Sequence, residues 1–171
     1  MRIIFISKNI LFVIYNIYLI SVCIHKTMIE SITKIRVRFG ETDGMGIAYH
    51  GNYFHWFEVA RIDLLDHIGV TYKSLEKEGY ILPVLEAQAK YHRSAFFDDR
   101  LIITAQIQPF SRLKLSIHYQ IKSSNTLICQ GKTLHAFLDS RSHKPTKPPK
   151  RFLDALAKKG IISSHQPNSY D

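Results

Sequence analysis

The chain has 171 residues, 46% of them hydrophobic and 22% charged, which fits one domain able to bury its own core without covalent staples. Its two cysteines, Cys23 and Cys129, stand alone, so they offer neither a disulfide framework nor a metal-ligand spacing, and a reducing, cytosolic setting is expected. The formal net charge of +9 raises a nucleic-acid hypothesis that its distribution removes: residues 1–27 carry +3, residues 28–140 carry 13 − 12 = +1, and residues 141–171 carry 7 − 2 = +5.

Residues 10–24, ILFVIYNIYLISVCI, are apolar apart from Asn16 and Ser21, and Arg2 and Lys8 precede them. This is the outline of a signal peptide, but no small-x-small cleavage site follows. The run is also shorter than the roughly 20 apolar residues that span a bilayer. Its Ile, Phe, Tyr, Asn and Lys bias resembles translated AT-rich DNA. The expectation is therefore an upstream extension with the natural start at Met28; a membrane anchor or a signal are the alternatives, and any membrane association would run through residues 1–27.

From Met28 the periodicities become legible. In SITKIRVRF, residues 31–39, the set Thr33, Ile35, Val37 and Phe39 is mostly apolar, which predicts a first strand with that face inward. The stretch ETDGMGIAYHGNYFHWFEVAR, residues 41–61, then places an aspartate seven residues before a histidine and opens a helix at once. Asn52 is expected to cap that helix. From Tyr53 to Ile68 the apolar residues Tyr53, Trp56, Phe57, Ala60, Leu64 and Ile68 keep the three-to-four spacing, and Gly69 is the expected stop. So apolar a helix must be wrapped by other structure.

Strands are expected at Leu85–His92 and, after a turn at Asp98 and Asp99, at Leu101–Gln108. In Lys114–Lys122 the residues Leu115, Ile117, Tyr119 and Ile121 alternate with polar ones, the sharpest period-two signal in the chain. A turn at Ser123–Asn125 leads into Thr126–Leu138, where Gly131 signals a bulge or a close backbone approach. Pro148 and Pro149 precede a short helix over Lys150–Lys159, and residues 161–171 read as a loose tail. One strand, one long apolar helix and four antiparallel strands point to an α+β domain over residues 28–160, with the sheet curled around the helix. Such a sheet leaves an edge that a second copy can extend, so a homodimer is expected, with a homotetramer as the alternative.

The carboxylate of Asp43 falls beside the start of the helix, where unpaired NH groups and a partial positive charge suit an oxygen that becomes negative during acyl transfer. A carboxylate there can attack a carbonyl or activate a water. Taken singly, Tyr49 and Tyr53 read as packing, Asn52 as a cap, and Glu58 with Arg61 as a surface ion pair at three-residue spacing.

As a joint pattern, Asp43, Gly46, Tyr49, His50, Asn52, Tyr53, Glu58 and Arg61 resemble the motif of the hotdog-fold acyl-CoA thioesterases of the 4-hydroxybenzoyl-CoA thioesterase type, closest to the YbgC-like bacterial branch. The resemblance runs from about Ile32 to Phe152 and includes EAQAKYHRSAFFDDRL, residues 86–101, where Ser94 stands in place of the usual Pro. It implies a hotdog fold with active sites at a subunit interface and hydrolysis of an acyl-CoA to free acid and CoA, without metal or other cofactor. Asp43 would be the catalytic carboxylate, as nucleophile or general base, and His50 would orient the thioester or polarise its carbonyl. Tyr49, Asn52 and Glu58 join them as candidate substrate-binding residues. In some relatives a Gly backbone NH polarises the carbonyl, and Ile81 stands at that place here.

The basic segment RSHKPTKPPKR, residues 141–151, lacks the aromatics that stack single-stranded bases. Arg141, Lys144 and Lys147 are instead candidates to meet the phosphates of CoA, beside the plainer reading of a solvated tail. The rival from another class is a non-catalytic hotdog protein that binds acyl-CoA or acyl carrier protein as an adaptor. The presence of both Asp43 and His50 argues against it.

Overall fold

In the computed structural model of the chain, residues 29–108 and 114–159 are described. The expectations for residues 1–27 and 161–171 lie outside them. The order is β1 (Ile29–Arg36), a 3₁₀ turn (Phe39–Glu41), α1 (Asn52–His67), α2 (Tyr72–Lys77), β2 (Tyr80–Ile81), β3 (Val84–Tyr91), β4 (Arg100–Ile107), β5 (Lys114–Ser123), β6 (Thr126–Ala136), β7 (Leu138–Asp139) and α3 (Lys150–Lys158).

Five strands form one antiparallel sheet in the order β1-β4-β5-β6-β3, with β2 and β7 as a separate two-stranded ribbon. The sheet packs on α1, the α+β hotdog arrangement that the sequence leads one to expect. Alternation does the sorting: Leu115, Ile117, Tyr119 and Ile121 of β5, and Leu101, Ile103, Ala105 and Ile107 of β4, are buried. They pack in one core cluster with Tyr53, Trp56, Phe57, Ala60, Leu64 and Leu65 of α1. At the centre the rings of Phe57 and Tyr119 stack at 4.5 Å with 18° between their planes.

Two glycines do what no other residue could do as cheaply. Gly69 closes α1 at φ +79°. Gly131 lets β6 pass α1 closely, since a Cβ there would lie 2.2 Å from Cζ of Phe57. That is the close approach, and β6 keeps regular pairing at Gly131. The irregularities of register fall instead at Val84/Glu86 and Ile121/Lys122.

One sequence expectation is corrected in this region. Phe39 does not continue the inward face of β1; it sits in the 3₁₀ turn, 76% exposed. The basic segment after Asp139 is exposed at Arg141–Pro145 and folded on its own backbone: Asp139 Oδ1 accepts from the NH groups of Arg141 and Ser142 and from the Ser142 hydroxyl. The NH of Asp139 donates to the Lys144 carbonyl, and Leu138 bridges Pro145 before α3 begins.

Candidate active site

The loop from Thr42 to Ala48 is a tight hairpin closed by its own backbone. Thr42 bridges Ala48, the Asp43 NH donates to the Ile47 carbonyl at 2.9 Å, and the Gly46 NH donates back to the Asp43 carbonyl at 2.9 Å. Gly46 takes φ +73°, so the turn needs a residue without a Cβ. The half-buried Asp43 uses Oδ1 to accept from the Met45 NH at 2.8 Å, and among the described residues nothing else bonds its carboxylate. One oxygen thus fixes the rotamer while the other stays available.

Glu41 ties this loop to the helix. Its carbonyl accepts from the Tyr49 NH at 2.8 Å and from Asn52 Nδ2 at 2.7 Å. Its carboxylate accepts from the Arg38 backbone NH, the Arg38 guanidinium and the Trp56 indole. Burial pushes the Glu41 carboxyl up, but the hydrogen bonds from Arg38 and Trp56 outweigh it and hold the group below its ordinary value. An ionised Glu41 therefore anchors the base of the loop.

The expected cap is corrected here. The residue at the N-cap is Gly51, with no side-chain cap, and Asn52 is already helical with its amide spent on Glu41. A helix end left uncapped keeps donors exposed. Among the described residues, no backbone carbonyl accepts from the NH groups of His50 or Gly51, which sit immediately before α1.

His50 is exposed, its ring 4.4 Å from that of Tyr49, and its carbonyl accepts from the Tyr91 hydroxyl at 3.0 Å. His50 and Tyr53 line a cleft of about 250 Å³ with Ile47, Tyr91 and His92. Asp43 is absent from that lining, and no hydrogen bond joins its carboxylate to His50. Tyr53 is buried, as packing requires, whereas Tyr49 is largely exposed.

The other candidates divide. Glu58 lies a turn further along α1, and Arg61 is not the surface partner expected of it. The guanidinium is buried and its Nη2 stands 3.8 Å from Glu58 Oε1. Arg141, Lys144 and Lys147 are exposed on the segment between β7 and α3, and no hydrogen bond or ion pair links them to the Asp43 loop. Ile81 pairs with Leu138. Asp98 and Asp99 form their expected turn, with Asp98 at φ 72° and paired to Arg36, and Asp99 Oδ2 accepting from the Phe96 NH. No group of three metal-ligating side chains occurs among the described residues.

Sequence reasoning missed a polar cluster under α1. Pro83 O can only accept, so the His135 Nδ1 at 3.2 Å carries the proton. Nε2 is then an acceptor, and Thr133 Oγ1 at 2.8 Å donates to it. Thr133 in turn accepts from the Tyr119 hydroxyl at 2.8 Å. Burial, then the charge of Arg61, push His135 down to about 4, which keeps the ring neutral. The only sequence sign was polar residues on the 129–131–133–135 face of β6, the same face as buried Cys129.

The pattern of the Thioesterase-like superfamily matches residues 37–156, most of the chain, from the 3₁₀ turn into α3. The chain belongs to that family. The putative acyl-CoA thioesterase YneP of Bacillus subtilis (strain 168) is 32% identical over 122 residues, 71% of this chain and 88% of the relative. The acyl-CoA thioester hydrolase YbgC of Escherichia coli O6:H1 is 29% identical, over 70% of this chain and 90% of the relative. Among solved structures, the DHNA-CoA thioesterase of Staphylococcus aureus aligns with a TM-score of 0.72 and 34% identity, covering 75% of this chain and 89% of that one. The hotdog fold and the thioesterase family thus rest on both sequence and shape. Among the described residues, no helix is long and apolar enough to cross a membrane.

Proposed function

We propose that this chain is an acyl-CoA thioesterase, cleaving an acyl-CoA to the free acid and CoA with Asp43 as the catalytic carboxylate. The observation that carries the reading is the half-used Asp43 carboxylate, held by the Met45 NH in a loop that Glu41 pins to the uncapped start of α1. The free oxygen has two routes. As a nucleophile it adds to the thioester carbonyl and expels the CoA thiolate, leaving a mixed anhydride that water hydrolyses. As a general base it takes a proton from a water whose oxygen attacks the carbonyl directly. In both, negative charge grows on the carbonyl oxygen, and the His50 and Gly51 NH groups at the positive end of α1 suit it.

In this reading His50 orients the thioester at the mouth of the cleft it lines, and Tyr49 and Asn52 support that mouth, Tyr49 by its tilted ring contact with His50 and Asn52 by holding Glu41. Arg141, Lys144 and Lys147 are solvent-accessible cations suited to the CoA phosphates. An acyl carrier protein could present the same thioester to the same residues.

The test is CoA-thiol release from a panel of acyl-CoAs by the wild-type chain and its Asp43→Asn form, with folding checked by circular dichroism. The expected result is turnover that falls at least roughly a hundredfold in the variant, the scale of a lost acid or base. Equal acyl-CoA binding by both proteins with hydrolysis by neither would replace the enzyme with an adaptor and return Asp43 to a turn-forming role.

A further inference from the structure

A second cleft, of about 310 Å³, opens along the same seam between α1 and β3, lined by Phe54, Phe57, Arg61, Val84, Tyr119 and Thr133 among others. We propose that it receives an acyl group ending in a carboxylate, and that the Arg61 guanidinium pairs with that carboxylate. The proposal rests on the thioesterase reading and adds to it the class of acyl group taken.

Arg61 is 6% exposed, and its Nη1 is buried without a hydrogen-bond partner. Nη2 faces Glu58 Oε1 at 3.8 Å, too far for a hydrogen bond and with most of the Glu58 side chain in solvent. Glu58, itself part of the lining, is the one carboxylate there. Of the polar groups on the sheet side, the Tyr119 hydroxyl donates to Thr133, Thr133 donates to His135 behind the cleft, and the neutral His135 donates to the Pro83 carbonyl, so none of these three is negative. The ring of Tyr72, 6.0 Å from the guanidinium carbon, gives only a weak contact at that range.

A buried cation without a matching anion is costly, and removing its water is repaid only by a close, hydrogen-bonded counter-charge. A carboxylate meets that need with charge-assisted hydrogen bonds, whereas an apolar chain end would leave Nη1 stranded. Size agrees, since the cleft lies at the lower end of the range for small-ligand sites. Position agrees as well: Tyr53 and Tyr91 border the His50 cleft, and Phe54 and Val84, on the same helix and the same strand, border this one. A thioester held at the start of α1 can thus run its acyl group along the seam towards Arg61.

The experiment compares kcat/KM of the full chain for adipoyl-CoA and hexanoyl-CoA, which differ only in the terminal carboxylate, in wild type, Arg61→Gln and Arg61→Lys. Wild type is expected to favour adipoyl-CoA at least roughly tenfold, because a site built around a polar partner rejects the analogue lacking it. In Arg61→Gln that ratio falls towards one, and Arg61→Lys restores part of it. A purely structural arginine would lower both rates together and leave the ratio in place; that result, or a wild-type preference for hexanoyl-CoA, overturns the proposal. If no thioester is turned over, the thioesterase reading fails separately. In that case, or if the variants do not fold, calorimetric titration of the wild-type chain with free hexanoate and neutral hexanamide decides. Tighter hexanoate binding upholds the carboxylate site, and equal or absent binding overturns it.

Discussion

His135 shows how far a single position can depart from what its residue type suggests. The fully buried ring is held by Pro83 on one nitrogen and by Thr133 on the other, and a second proton on Nε2 would turn the Thr133 hydroxyl away and put a cation beside Arg61. Burial and that neighbouring charge push the ring from 6.5 to about 4 in the folded chain. The unfolded chain then binds the extra proton between those two values and the native chain does not, so stability is fully present above about pH 6.5 and falls as the pH drops towards 4. The ceiling on this one contribution is about 3.5 kcal/mol, taking about 1.4 kcal/mol for each pH unit between the two values. Urea midpoints of the wild type at pH 7 and pH 4.5 should therefore differ, and His135→Asn should shrink the difference. Equal pH sensitivity in the two proteins would mean that His135 is protonated in the fold and that the Thr133 to Tyr119 hydrogen bonds run the other way.

At the level of the elements, period two was enough to locate β5, which buries Leu115, Ile117, Tyr119 and Ile121 on one face, whereas β4 and β6 were placed by the turns that precede them. The six-residue α2 and the two-residue β2 escaped notice, since neither is long enough to show a period. The Asp43 loop was visible as a motif, but the job of Asn52 was not: whether its side chain caps α1 or reaches Glu41 depends on where the loop returns. Arg61 misled for a similar reason, because three-residue spacing from Glu58 looks the same on a solvated face and on one that the sheet covers. Gly131 was the more informative residue. Its α hydrogens occupy the space between β6 and the Phe57 ring, where a Cβ would stand 2.2 Å from Cζ and 3.1 Å from the Gln88 carbonyl. Gly131→Ala should lower the unfolding free energy by about 1–3 kcal/mol, the usual cost of overpacking a core. In a Phe57→Leu background the loss should be clearly smaller, since the offending ring is gone. Strictly additive urea midpoints would show that the helix does not approach β6 this closely.

At the scale of the whole molecule, the sheet ends in two edge strands, β1 bonded to β4 alone and β3 bonded to β6 alone among the described residues. The second edge of β3 runs unpaired there over the eight residues Val84–Tyr91. Val84, Leu85 and Tyr91 on that strand are each more than two-fifths exposed, and Phe54 and Val59 add apolar surface on α1. A bare apolar edge invites another strand, and natural edges avoid this with charge, proline or a cover. Lys90 and Glu86 are the only charges on β3, and no proline interrupts it. A second copy pairing β3 with β3 about a two-fold axis would satisfy the free backbone groups of both chains and bury the same patch on each. The full chain should therefore travel as a dimer by size-exclusion chromatography with light scattering. Leu85→Glu with Gln88→Glu, on β3 but outside both clefts, should shift it to monomer, because each copy would bring two like charges to the same seam. The thioesterase rate then reads out the site itself. Both clefts border β3, through Tyr91 in one and Val84 in the other, so a monomeric variant that loses hydrolysis while keeping its circular dichroism spectrum would mean that each site is completed by the neighbouring chain. A wild-type chain that is monomeric at micromolar concentration and still hydrolyses acyl-CoA would overturn the pairing and leave β3 as a naked edge.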